Sequence, residues 1–65
     1  IRFMYSVIYK DVVLFHSSNK EGAIIAIKEY VEKRGMTLQT ETRLYGRINL
    51  FFFDKNSNCY IYTIV

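Results

Sequence analysis

The 65-residue chain has no proline, one cysteine, three glycines and one histidine, and each scarcity excludes something. With Cys59 as the only cysteine, no internal disulfide can form, and a reducing compartment fits. Cys59 sits in an apolar, strand-like run and reads as a structural thiol rather than a nucleophile. Gly22, Gly35 and Gly46 are isolated from one another, so no glycine-rich loop is present to cradle a phosphate. His16 has no second histidine, cysteine or acid at useful spacing, so neither a metal site nor a cofactor is expected. No Ser/His/Asp or Cys/His set has a catalytic arrangement, and Glu21, Glu29 and Glu32 belong to the cap or the solvated face of a helix. The chain is therefore expected not to be an enzyme.

No apolar run approaches the ~20 residues that a membrane-spanning helix needs, and no signal peptide is visible. The expectation is a cytoplasmic protein that reaches membranes only through a partner. No proline-rich or low-complexity linker divides the chain, so a single domain over residues 1–65 is expected. The first residue is Ile1 rather than methionine, so trimming is expected, with parts of a parent protein missing at either end.

What is present is apolar. Hydrophobic residues make up 51% of the chain and aromatics 17%, rich for a length at which folding buries only about 60% of the unfolded surface. Nine basic and six acidic residues give +3, scattered from Arg2 to Lys55 without a run. That distribution argues against nucleic acid as a partner.

Ser18 to Gly35, SNKEGAIIAIKEYVEKRG, reads as the only helix, and the rest of the chain is arranged around it. Ser18 and Glu21 have capping-box spacing. Ala23, Ile24, Ile27, Tyr30 and Val31 form one apolar stripe at three- and four-residue intervals. Lys33 and Arg34 fall in the last turn, and Gly35 is suited to close it. Before the helix, Arg2–Tyr9 and Val12–His16 are β-branched and aromatic runs separated by Lys10-Asp11, which reads as a hairpin. The break lacks glycine, so its turn type is open.

After the helix, Met36–Tyr45 alternates, with Leu38, Thr40, Thr42 and Leu44 on one side and Gln39, Glu41, Arg43 and Tyr45 on the other. Arg47–Phe53, RINLFFF, is a strong strand. Asp54–Asn58 is a loop of turn formers, and Cys59–Val65, CYIYTIV, is the last strand. The expected class is α+β, ordered β-β-α-β-β-β, with a mainly antiparallel sheet and one helix packed on one face. Alternation puts Ile48, Leu50 and Phe52 on one face and Phe51 and Phe53 on the other. Tyr60, Tyr62 and Ile64 likewise oppose Cys59, Ile61 and Val65, and Phe3, Tyr5, Val7 and Tyr9 oppose Met4 and Ile8. One helix covers one face only. The other face, with Phe51 and Phe53, is expected to meet a protein partner or a second copy of the chain.

FMYSVIYKDVVLFHSS resembles the opening hairpin of longin domains, and its start is similar to that of small adaptins. GAIIAIKEYVEKRG matches the position of the first longin helix. LQTETRLYGRINLFFFDKNSNCYIYTIV resembles the three-strand meander that follows. Longin domains occur on vesicle SNAREs, small adaptor subunits and tethering complexes. The resemblance implies a non-enzymatic protein–protein interaction module in vesicle trafficking or SNARE and adaptor assembly. It places a partner groove between the helix and the third strand, at Ile25, Lys28, Glu29, Glu32, Thr40, Thr42 and Leu44. Longin domains continue with two further helices on the second sheet face, whereas this sequence stops at Val65.

Two alternatives stand beside it. The hairpin–helix–hairpin layout is similar to a β-grasp module of the protein G type, which implies a small protein-binding effector or inhibitor, of viral origin if the Ile-, Tyr-, Asn- and Lys-rich usage reflects an AT-rich genome. That layout needs a shorter connection after Gly35. LYGRINLFFF is similar to the aromatic strand of RNA-recognition domains, which would make the chain a small nucleoprotein subunit. Those domains open β-α-β, however, whereas this chain opens β-β-α.

Overall fold

Two consecutive residues at positive φ, Lys10 (50°) and Asp11 (65°), turn the chain for the first time. The computed structural model describes residues 4–65; the expectations for Arg2 and Phe3 lie outside the described residues. The turn joins β1 (Tyr5–Tyr9) to β2 (Val12–Ser17). Positive φ at both central residues is the type I′ pattern, whose twist suits a two-residue hairpin. The same device, at Tyr45 (53°) and Gly46 (74°), joins β3 (Thr37–Leu44) to β4 (Arg47–Phe53). A loop at Asp54–Asn58 then leads into β5 (Cys59–Ile64).

The five strands lie in the order β2-β1-β5-β4-β3, and every pairing is antiparallel. Strand makes up 52% and helix 21% of the structure. This overturns the expected α+β class with its mainly antiparallel sheet. The described residues form a five-stranded, wholly antiparallel sheet carrying one short helix. The physical reason lies at the helix ends and in the turns. The helix is trimmed at both ends, while tight turns let strand run almost unbroken from Thr37 to Ile64.

The helix, α1, spans Lys20–Glu32 rather than Ser18–Gly35. Asn19 is its N-cap: the side-chain Oδ1 accepts the backbone N–H of Glu21 at 2.9 Å and of Gly22 at 3.1 Å. Asparagine caps at least as well as serine, and the Ser17 hydroxyl steadies it by donating to the Asn19 carbonyl at 2.8 Å. The expected capping box therefore does not form. Glu21 turns instead toward Arg43, 3.5 Å away. Lys33 and Arg34 lie beyond the last helical turn, and Gly35 takes the left-handed conformation (φ 80°) that ends the segment.

α1 crosses one face of the sheet and reaches both edge strands. Its buried residues Ala23, Ile24, Ile27 and Val31 meet Val7, Ile48, Leu50, Phe52, Tyr62 and Ile64 from β1, β4 and β5. Phe52 stands edge-on to Tyr62, with ring centroids 5.8 Å apart, and Tyr62 stacks on Tyr9 at 4.7 Å. Such ring pairs add to area burial.

The alternation of β3 is interrupted. Leu38 pairs with Phe52 but Thr40 pairs with Phe51, so Gln39 is the extra residue of a β-bulge. Directly opposed residues share a face. Leu38, Glu41 and Arg43 thus face the helix with Phe52, Leu50 and Ile48. Thr40, Thr42 and Leu44 face away with Phe51, Asn49 and Arg47. The expected grouping of Leu38 with the two threonines and Leu44 is corrected by this one insertion.

Candidate functional site

The helix-free face is built by the residues that alternation leaves over. Phe51 pairs with Ile61, Phe53 with Cys59, Asn49 with Thr63, and Ile8 with both Thr63 and Val13. The face has two halves. Toward the Asp54 end lie Phe51, Phe53, Ile61 and Thr40. Beside Ile61, an open depression of about 330 Å³ is lined by Ile8, Cys59, Ile61 and Thr63, with Lys10 and Asp11 at the hairpin turn. Toward the other end, Asn49 is a polar hub. Its Oδ1 accepts the Thr63 hydroxyl at 2.8 Å, and its Nδ2 donates to the Thr42 hydroxyl at 3.4 Å. Ser6 Oγ and His16 Nδ1 are hydrogen-bonded at 2.9 Å across the β1–β2 pair. Phe51 and Phe53 are each only half-buried, with the helix on the opposite side of the sheet.

The turn after β4 holds one end of this face in place. Asp54 Oδ1 accepts the N–H groups of Asn56 at 2.8 Å and Asn58 at 3.0 Å. Its Oδ2 accepts the Asn58 amide and the Tyr60 hydroxyl, both at 3.0 Å. Chiefly through the two Asn58 bonds, these donors hold the carboxyl down at about 2, below its ordinary range. The same contact pushes the Tyr60 hydroxyl pKa upward. Asp54 therefore works as a structural acceptor that fixes Phe53 and Cys59 at the mouth of the turn.

The residues expected to form a partner groove are divided between surfaces. Ile25 is 57% exposed on the outward side of α1, with Glu29 and Glu32 also exposed and Lys28 half-buried. Leu44, 61% exposed, lies with Thr40 and Thr42 on the helix-free face. The bulge at Gln39 is what separates the two sets. The β3 residues that do face α1 are Leu38, which packs against the core, and Glu41 and Arg43. Arg43 Nε donates to Glu41 at 2.6 Å and its Nη2 reaches Glu21, so the α1–β3 flank is closed by charge.

The opposite flank of α1 was not singled out from the sequence. Between α1 and the edge strand β2 lies a cavity of about 270 Å³, lined by Leu14, Phe15, Ile27, Tyr30 and Tyr62. The signal available was Val12–Phe15, four apolar residues in succession with no polar alternation, and all four are exposed.

Among the described residues, no three His, Cys, Asp or Glu side chains converge on a metal position. No helix among them is long and apolar enough to cross a membrane. No protein family, curated protein or solved structure matches the chain.

Proposed function

We propose that the chain is a protein–protein interaction module of the longin type, acting in vesicle trafficking or SNARE and adaptor assembly without catalysing a reaction. The observation that carries this reading is the bare sheet face. Phe51 and Ile61 are directly paired there, next to Phe53 and Cys59, and α1 covers only the other side. Rings left half-buried on an unpartnered face are suited to a docking helix. The hairpin, crossing helix and three adjacent strands β3-β4-β5 give the order that the sequence resemblance implies. β3 occupies the connection that a β-grasp layout would need to be short, which weighs against the effector alternative.

In this reading the main partner surface is Phe51 and Phe53 with the adjoining Thr40, Thr42 and Leu44. Ile25, Lys28, Glu29 and Glu32 belong to the same interface only for a partner that wraps around the β3 edge. The module works in the cytoplasm and meets membranes through its partner. The test is titration calorimetry of the chain against a set of SNARE-motif and adaptor-derived helical peptides, with light scattering for self-association. Binding by the native chain that falls at least tenfold in Phe51→Asp supports the reading. A monomeric chain that binds none of the peptides removes it.

A further inference from the structure

We propose that the groove between α1 and β2 is a second docking site, taking an apolar peptide segment that carries carboxylates. Tyr62 and Ile27 form its floor, Tyr30 one wall, and Leu14 and Phe15 the other. Its volume of about 270 Å³ is below the usual 300–1,000 Å³ of small-molecule sites, so it suits an anchoring side chain or two. β2 is an edge strand without a charged residue, and Tyr30 and Phe15 remain accessible.

The charge nearest this groove is cationic. Arg34 lies 3.8 Å from the Tyr30 ring centroid and donates to the Tyr30 carbonyl at 3.1 Å. Lys10 lies 5.6 Å over Tyr9, the ring stacked on Tyr62. Lys20, at the helix start, lies 5.5 Å over Tyr5 on the same face of β1. Three cations are thus held over tyrosine rings on the helix side of the sheet, and Arg34 lies over Tyr30, the groove wall itself. Among the described residues, the acid–base pairs involve Arg43 only, on the far flank. At 100° per residue, Glu21 and Glu32 also fall on that far flank and Glu29 on the outward side of the helix. Asp11, beside Lys10 in the turn, and Asp54, bonded to the Tyr60 hydroxyl, are acids at the Tyr9 end of this face. An apolar floor with Arg34 over its Tyr30 wall, and with Lys10 and Lys20 on the same side of the sheet, is complementary to an acidic, apolar peptide.

The inference concerns a different surface from the bare sheet face, and the experiment separates them. A fluorescein-labelled 12-residue peptide of leucine and glutamate at helical spacing is titrated with the chain by anisotropy in 50 mM salt. A leucine–lysine peptide is the comparison. The expected result is at least tenfold tighter binding of the glutamate peptide, weakened by 300 mM salt. Arg34→Glu and Lys20→Glu, both with unchanged circular dichroism, each lower its affinity about tenfold. Phe51→Asp leaves it unchanged. Equal affinity for both peptides, or an Arg34→Glu variant that binds normally, overturns the proposal. So does displacement of the peptide by phosphatidylserine vesicles that bind the chain more tightly, which would assign the groove to a lipid surface.

Discussion

Leu38 and Thr40 stand on opposite faces of the sheet although one residue separates them, because Leu38 is paired with Phe52 and Thr40 with Phe51. Deleting Gln39 restores strict alternation and forces a choice. Either Leu38 leaves the core, or Thr40, Thr42 and Leu44 swing under the helix while Glu41 and Arg43 swing out. A one-residue slip moves a whole side-chain set across the sheet. The deletion is expected to destabilise by about 2 kcal/mol or more in urea unfolding. Unchanged stability would mean that β3 is not bulged at this point.

Phe51, Phe52 and Phe53 are consecutive and chemically identical, yet only Phe52 is fully buried. Phe52→Ala is expected to lose about 3–5 kcal/mol, the range for emptying a buried aromatic site. That is enough to unfold most molecules of a domain this small. Phe51→Ala is expected to cost less than half as much. Chemical denaturation of the two variants side by side checks the assignment of faces, and equal losses would contradict it.

The Lys10-Asp11 turn holds two side chains at positive φ where asparagine and glycine are preferred. Replacing the pair by Asn-Gly is expected to raise stability by about 1–2 kcal/mol, since left-handed backbone costs most residues that much. The converse change, Gly46→Ala at φ 74°, is expected to lower it by about 1 kcal/mol. Thermal melts of the two variants should move in opposite directions.

Asp54 provides the pH dependence. Its folded-state pKa of about 2 is lower than the ordinary 3.8, so the folded state favours the carboxylate. The stability this confers is complete above the ordinary value and is lost as pH falls from about 4 to 2. Asp54→Asn is expected to lower the melting temperature near neutral pH and to flatten the acid limb. An unaltered acid limb would show that the turn does not bind the carboxylate.

Legibility in the sequence followed the range of each interaction. RINLFFF shows its two faces because strand alternation is a rule between near neighbours, and Ile48, Leu50 and Phe52 are indeed the buried set. The bulge at Gln39 leaves no such trace. It is set by how Leu38 and Thr40 meet β4, and nothing in TLQTET marks it. Ser18 and Asn19 are both good caps; Asn19 takes the role, with the Ser17 hydroxyl bonded to its carbonyl. The balance of strand over helix followed from those end effects. The α1–β2 groove is not legible in the sequence, because Tyr30 reads equally well as part of a core stripe. Only the position of β2 at the sheet edge leaves it exposed.

The seam between β1 and β5 has a kinetic consequence. Val7 pairs with Ile64 and Ile8 with Thr63, and Ser6 and Val65 exchange two backbone hydrogen bonds of 3.0 Å. Among the described residues this short ladder, between residues more than fifty positions apart, is the only strand pairing that joins the first hairpin to the meander. Closure of so long a loop precedes any stabilisation from these contacts, and such topologies fold slowly. A chain emerging from the ribosome would hold a hairpin, a helix and an incomplete sheet until β5 appeared. Over that interval the uncharged edge of β2 and the rings of β4 would be open together, the period in which association with the wrong neighbour is easiest.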